Sequence, residues 1–255
     1  MVRVISGTGK KYTARMLLDN GSTANFITLS LSEKLGLPLH GTSTKSMMGT
    51  STQTKTLGLN WVCDSDSLTY TINITPSTKV TKRRVLSVIS QIFDPLGLVG
   101  PCVVEAKLIM QRLWLDKYEW DDEVSLEVRN LWFSFKSSIQ ALHQLKIPRW
   151  VLCVDSTTYE IHVFTDASER AYGACVYIRA CNSSGPISVQ LLVSKNPVAP
   201  FKPTTIPKLE LCGALLGVLP IKKCSFWCDS TIVLSWLSTS SNQLKPFVRN
   251  RVNEI

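Results

Sequence analysis

Three carboxylates in the last third of the chain stand where they could do chemistry. Asp166 closes the apolar run Val163-Phe164-Thr165. Asp229 closes a second one, Phe226-Trp227-Cys228. Glu210 lies inside Ile206-Pro207-Lys208-Leu209-Glu210-Leu211. Acids at strand ends project from a sheet edge, where α/β folds hold their ligands. A Glu on a helix packed over those strands would complete a cluster. Clustered carboxylates repel one another, and a divalent cation relieves the repulsion. Mg²⁺, with Mn²⁺ as a substitute, held in this way activates water and stabilises an in-line phosphoryl displacement. Asp166, Glu210 and Asp229 are therefore candidates both as catalytic groups and as metal ligands. Spacing alone leaves them equally compatible with three unrelated surface acids.

A fourth acid has a different setting. Met16-Leu17-Leu18-Asp19-Asn20-Gly21-Ser22 is an apolar strand followed by Asp-x-Gly-Ser, and Thr23-Ala24-Asn25-Phe26-Ile27 returns to apolar character. Two such aspartates sharing one proton can activate water against a peptide carbonyl. Gly21 permits the tight loop that would bring the carboxylates together. An Asp-x-Gly taken alone is also an ordinary turn.

The elements that must position these acids fall into three segments. Residues 1–78 are rich in Thr and Ser, with β-like runs at Tyr12–Leu18, Leu57–Cys63 and Thr69–Ile74 and a short helix at Leu29–Leu35. They suggest a small β-barrel or sandwich. Residues 79–150 carry an apolar stretch at Val85–Ile92, then helical stripes over Val103–Trp114 and Glu127–Leu145. Trp114, Trp120 and Trp132 are expected to anchor the core of this helical module. Residues 151–255 alternate as strands at Glu160–Thr165, Ala171–Arg179 and Val189–Ser194. A Pro-rich loop, a helix at Lys208–Leu219, a strand at Cys224–Cys228 and a helix at Ser230–Leu237 follow. The order β-β-β-α-β-α predicts a mixed α/β sheet.

Composition narrows the class. The chain has 255 residues, 44% hydrophobic and 18% charged, with mean hydropathy +0.10, which is globular rather than disordered. No apolar run reaches the roughly 18 residues of a membrane helix, and Met1–Gly7 lacks the apolar centre of a signal peptide. The expected location is cytoplasmic or nuclear, with no membrane partner. Net charge is +9. Basic and acidic residues number 7 and 4 in 1–78, 11 and 8 in 79–150, and 10 and 7 in 151–255, so the excess is spread evenly. It is compatible with a polyanionic partner without locating one. Lys79-Val80-Thr81-Lys82-Arg83-Arg84 reads as a solvated basic linker, and Asp116, Asp121, Asp122 and Glu123 as a solvated acidic face. Eight cysteines show no CxxC pair or zinc spacing and read as reduced core residues.

Several of these strings carry a family likeness. Phe164-Thr165-Asp166-Ala167-Ser168, Pro207-Lys208-Leu209-Glu210-Leu211 and Trp227-Cys228-Asp229-Ser230-Thr231-Ile232-Val233-Leu234-Ser235-Trp236 strongly resemble the ribonuclease H domain of retrotransposon polyproteins of the Bel/Pao class. The resemblance implies that Asp166, Glu210 and Asp229 are the first three metal-binding acids, and that the substrate is RNA in an RNA–DNA hybrid cut with Mg²⁺. Val85–Pro101 looks like the stretch after the polymerase palm in Bel/Pao reverse transcriptases, and the Trp-rich helices after it resemble that family's thumb and connection region. The Asp19 string resembles the retropepsin-like peptidase of the same polyproteins, which implies Asp19 as catalytic acid, a peptide substrate and a homodimer.

These likenesses predict a multidomain chain. Residues 1–78 would be a partial all-β retropepsin-like module, 79–150 a helical thumb/connection-like module, and 151–255 an incomplete α/β ribonuclease H-like module with a mixed sheet. The paired aspartates of a polymerase palm have no counterpart, so no DNA synthesis is expected. By the same resemblance the ribonuclease H part is expected to lack the last strand, the final helix and the fourth acid. The expected function is metal-dependent hydrolysis of RNA in RNA–DNA hybrids, residual or lost. The alternative is a non-catalytic nucleic-acid-binding or degenerate transposon product.

Overall fold

The computed structural model describes residues 2–5, 8–14, 29–35, 53–56, 59–62, 64–74, 79–152, 156–182, 185, 187–218 and 224–255. Near the start, β1 (Val2–Ile5) and β2 (Lys11–Ala14) form an antiparallel pair, and α1 (Leu29–Leu35) matches the expected helix. The strand expected over Tyr12–Leu18 is described only as far as Ala14, and Asp19 lies outside the described residues.

A second sheet is antiparallel throughout, in the order β3 (Gln53–Thr56), β4 (Leu59–Val62), β5 (Ser67–Thr69) and β6 (Ile147–Pro148). The run Thr69–Ile74 continues as irregular chain beyond β5. Pairing of Leu68 with Ile147 joins the first segment of the sequence to the end of the second. The helices of the second segment are α2 (Lys82–Ile89), α3 (Gly100–Leu115) and α4 (Leu126–Ile139), the last followed by a 3-10 turn at Gln140–Gln144. Each start has a local cause. The Thr81 and Ser125 hydroxyls accept from Arg84 N–H and Val128 N–H, and Pro101 opens the first turn of α3. Val128, Trp132, Phe135 and Ile139 form the buried stripe of α4 at helical spacing. One apolar core takes in Leu59, Leu68, Tyr70 and Ile72 together with Val85, Leu113 and Trp132. This core thus draws described residues from both sides of residue 78.

Two expectations for this region change. Trp132 is buried, but Trp114 and Trp120 are 52% and 39% exposed. They meet edge to face with centroids 5.9 Å apart, and Lys82 Nζ sits 3.3 Å above the Trp114 ring. Lys82 is only 4% exposed and donates to Tyr118 O, while Arg83 makes a two-pronged pair with Asp121. Lys79, Arg83 and Arg84 are exposed as expected, but the run leads into a helix rather than a linker, and Lys82 is buried. Cation–π contact and carbonyl acceptance make burial of the Lys82 ammonium tolerable.

The third sheet has four strands, with Ser225–Trp227 (β10) at one edge, then Ser156–Ala167 (β7), Tyr172–Asn182 (β8) and Ile187–Lys195 (β9). The strands β7, β8 and β9 run antiparallel, and β10 lies parallel to β7. The helices α5 (Ile206–Leu216), α6 (Thr231–Ser238) and α7 (Pro246–Val252) complete this part. The expected mixed sheet is present, and α7 is an additional helix. No helix among the described residues is long and apolar enough to cross a membrane.

The turn Asp94-Pro95-Leu96-Gly97 docks the helices onto this sheet. The Asp94 carboxylate accepts from Leu98 N–H (2.8 Å), Val99 N–H (2.9 Å) and Tyr70 O–H (3.0 Å). Burial and the Asp94 charge push the Tyr70 phenol far above its usual range. Gly97 has φ +68°, and a β-carbon there would stand 2.0 Å from Ser194 O. Ser194 in turn donates from N to Leu96 O and from Oγ to Gly97 O, and Gln111 Nε2 donates to Ala199 O. Gly97→Ala, strained both by its φ and by the clash, is expected to lower stability by about 2 kcal/mol or more, read as a lower urea midpoint at unchanged slope.

Candidate functional site

Along β7, Glu160, Phe164 and Asp166 are exposed and alternate with buried Ile161, Val163 and Thr165, as a strand with one packed face requires. Asp166 lies opposite Gly173 of β8, and its Oδ1 accepts from Ala167 N–H at 2.7 Å. Because β10 runs parallel to β7 with Trp227 beside Phe164, Asp229 leaves its strand at the level where Asp166 leaves its own. Both aspartates line one open cleft of about 670 Å³ together with Thr165, Tyr172, Asn196 and Trp227. The helical part also reaches it, through Val104 of α3.

Glu210 approaches from α5, which crosses β7 and β8. The crossing is close: a β-carbon on Gly213 would stand 3.0 Å from Gly173 O and 3.4 Å from Asp166 O. Glu210 lies one turn earlier on the same helix, and its Oε2 accepts from Ser230 Oγ at 2.5 Å. Ser230 follows Asp229 directly and caps α6 by accepting from Val233 N–H. At the C-terminal ends of β7 and β10 the fold brings two of the three sequence-predicted acids together. Asp166 and Asp229 share the cleft, and Glu210 is turned to the Ser230 hydroxyl. Among the described residues, no three His, Cys, Asp or Glu side chains are placed to hold a metal ion as they stand.

The rest of the site was not anticipated from the sequence. Trp227 and Phe164 are 51% and 46% exposed and stack with centroids 6.0 Å apart. Trp227 Nε1–H donates to His162 Nδ1. Thr165 is buried and its Oγ1 has no hydrogen-bond partner. Burial pushes up the Tyr172 phenol, with nearby Cys212 adding to the rise and Arg251 opposing it. It also pushes up the Cys175 thiol, which Ser194 partly offsets. Cys102, Cys175, Cys212 and Cys228 are partly buried thiols outside any disulfide. Only Ser230 had a legible signal, a hydroxyl residue immediately before an apolar helical run.

Comparison with known proteins gives a family. Residues 81–233 match the model of the Pao retrotransposon-like RNaseH-like domain. A search of curated proteins finds no match. Among solved structures, one similar chain belongs to the foamy viral protease-reverse transcriptase dRH in complex with ds DNA, at 16% identity and TM-score 0.33, with 65% of this chain and 27% of that chain covered. A second belongs to the foamy viral protease-reverse transcriptase in complex with dsDNA, at 14% identity and TM-score 0.26, with 80% and 43% covered. The chain thus spans less than half of either structure's length.

Removing the Ser230 hydroxyl should act twice. Ser230→Ala deletes the cap of α6, at a cost of about 1 kcal/mol in chemical denaturation, and it releases the Glu210 carboxylate.

Proposed function

Because the chain belongs to the Pao retrotransposon-like RNaseH-like family, we propose that residues 151–255 form a ribonuclease H-like module directed at RNA–DNA hybrids, with Asp166 and Asp229 facing the scissile strand. The observation that carries this reading is the pair of aspartates at the ends of adjacent parallel strands on one open cleft. The exposed Phe164 and Trp227 rings support it, since aromatic side chains beside a cleft suit nucleic-acid bases.

The donor set suits Mg²⁺ or Mn²⁺. Mg²⁺ keeps several waters and is usually held by one or two carboxylates together with substrate phosphates. Asp166 and Asp229 would hold the ion, and Glu210 would complete the set. When bound, the ion activates a water and neutralises charge developing on the phosphate. The chain's own contribution is orientation. Ala167 N–H fixes one oxygen of Asp166, and the parallel β7–β10 register sets the level of Asp229.

A second reading is a nucleic-acid-binding product without hydrolysis. The bond from Ser230 to Glu210 favours it, because that carboxylate has a protein partner already. We assign residues 79–150 to a thumb/connection-like role and 1–78 to a partial peptidase-like module. The peptidase assignment rests on the Asp19-Asn20-Gly21-Ser22 string and needs a homodimer and a peptide substrate; Asp19→Asn would abolish any acid-optimum proteolysis.

The deciding experiment is cleavage of a labelled RNA–DNA hybrid by the full chain with and without Mg²⁺. Cutting should require the ion and fall on the order of 100-fold or more in Asp166→Asn and Asp229→Asn. Folded wild type that cuts nothing overturns hydrolysis. Hybrid binding that weakens steeply with salt would then support the binding reading.

A further inference from the structure

Asn196 follows β9 and lines the cleft with the two aspartates. Its carboxamide is wedged between two glycines from different parts of the fold. A β-carbon on Gly100, the first residue of α3, would stand 2.1 Å from Asn196 Nδ2, and one on Gly173 of β8 would stand 2.3 Å from Oδ1. The amide also continues the docking contacts. Nδ2 donates to Ser194 Oγ at 2.9 Å, and Ser194 Oγ donates to Gly97 O at 2.6 Å.

On its other side this contact reaches the acids. Gly173 lies opposite Asp166 in the β7–β8 ladder, and its carbonyl is the backbone that Gly213 of α5 approaches. Gly173 is therefore held by Asn196, by the strand carrying Asp166 and by the helix carrying Glu210. Packed groups with no room for relaxation transmit a displacement rather than absorb it.

We propose that Asn196 is a positioning residue through which the docked α3 segment sets the end of β7 that carries Asp166. This rests on the reading of the cleft as the site of hybrid hydrolysis. Asn196 itself takes no part in the chemistry. It makes the helical segment a structural requirement of the site, because loss of docking at Gly97 and Gly100 would release the wedge against Gly173.

The test uses the full chain with Asn196→Ala and Asn196→Asp, the latter keeping the shape but losing the donor to Ser194. Hybrid-cleavage kinetics, thermal melting and hydrogen–deuterium exchange are measured on each. Both variants should lose about 10–100-fold in kcat with KM unchanged, the range for partners that orient site carboxylates. Exchange should rise across 166–173 and stay unchanged in α4. Unchanged exchange across 166–173, or a rise spread uniformly with a matching fall in melting temperature, overturns the proposal. Wild type that cuts no hybrid would instead defeat the hydrolysis reading, and the exchange comparison would still decide the role of Asn196.

Discussion

At Gly97 the chain passes so near the backbone of Ser194 that a β-carbon would lie 2.0 Å from its carbonyl oxygen, and this approach joins the helices to the sheet. It needs a residue without a side chain that is also comfortable at φ +68°, which only glycine supplies without strain. Asp94 prepares the turn by holding two successive backbone N–H groups. Ser194 closes it with two hydrogen bonds back to the turn. In a buried contact of this kind each unmade bond leaves a desolvated polar group, so the interface holds together or fails as a unit. Through this junction Val104 of the helical part comes to line the same cleft as Asn196 of the sheet.

The site inherits its geometry from backbone placement more than from side-chain contacts. Parallel pairing of β10 with β7 brings Asp229 level with Asp166. Close crossing of α5 over Gly173 brings Glu210 to the same end of the sheet. The carboxylates are then kept apart by local partners, Ala167 N–H for Asp166 and Ser230 for Glu210.

Much of this was legible in the residues. Period-2 alternation at Glu160–Thr165 and period-3.6 stripes at Glu127–Leu145 mark the strand and helix found there. The strand-end positions of Asp166 and Asp229 followed from the apolar runs before them. Long-range pairing was not legible. Nothing local shows that Ile147-Pro148 adds a strand to β5, or that Leu59 and Leu68 share a core with α4. Trp114 and Trp120 read as core residues because hydrophobicity alone does not distinguish a buried ring from one that covers a lysine. Asn196 carries no signature at all, since its role depends on two glycines distant in sequence.

Whether Glu210 can join the aspartates turns on its side chain, because its helix is not free to move. Gly213 and Gly217 stand one turn apart against the strands. A β-carbon on Gly217 would lie 2.6 Å from Val163 Cγ1 and 3.0 Å from Phe226 Cζ. Translation of α5 toward the cleft would drive these contacts into the sheet. Only rotation about the Glu210 side-chain bonds remains, and it must break the bond from Ser230. A hydrogen bond to a charged group contributes about 1.5–3 kcal/mol. A unit charge pair at 4 Å near a protein surface contributes about 4 kcal/mol, and a divalent ion about twice that before desolvation. Before desolvation, the pull of such an ion would exceed the Ser230 bond. On the hydrolysis reading proposed above, Glu210 would join the aspartates only by exchanging the Ser230 hydroxyl for the ion.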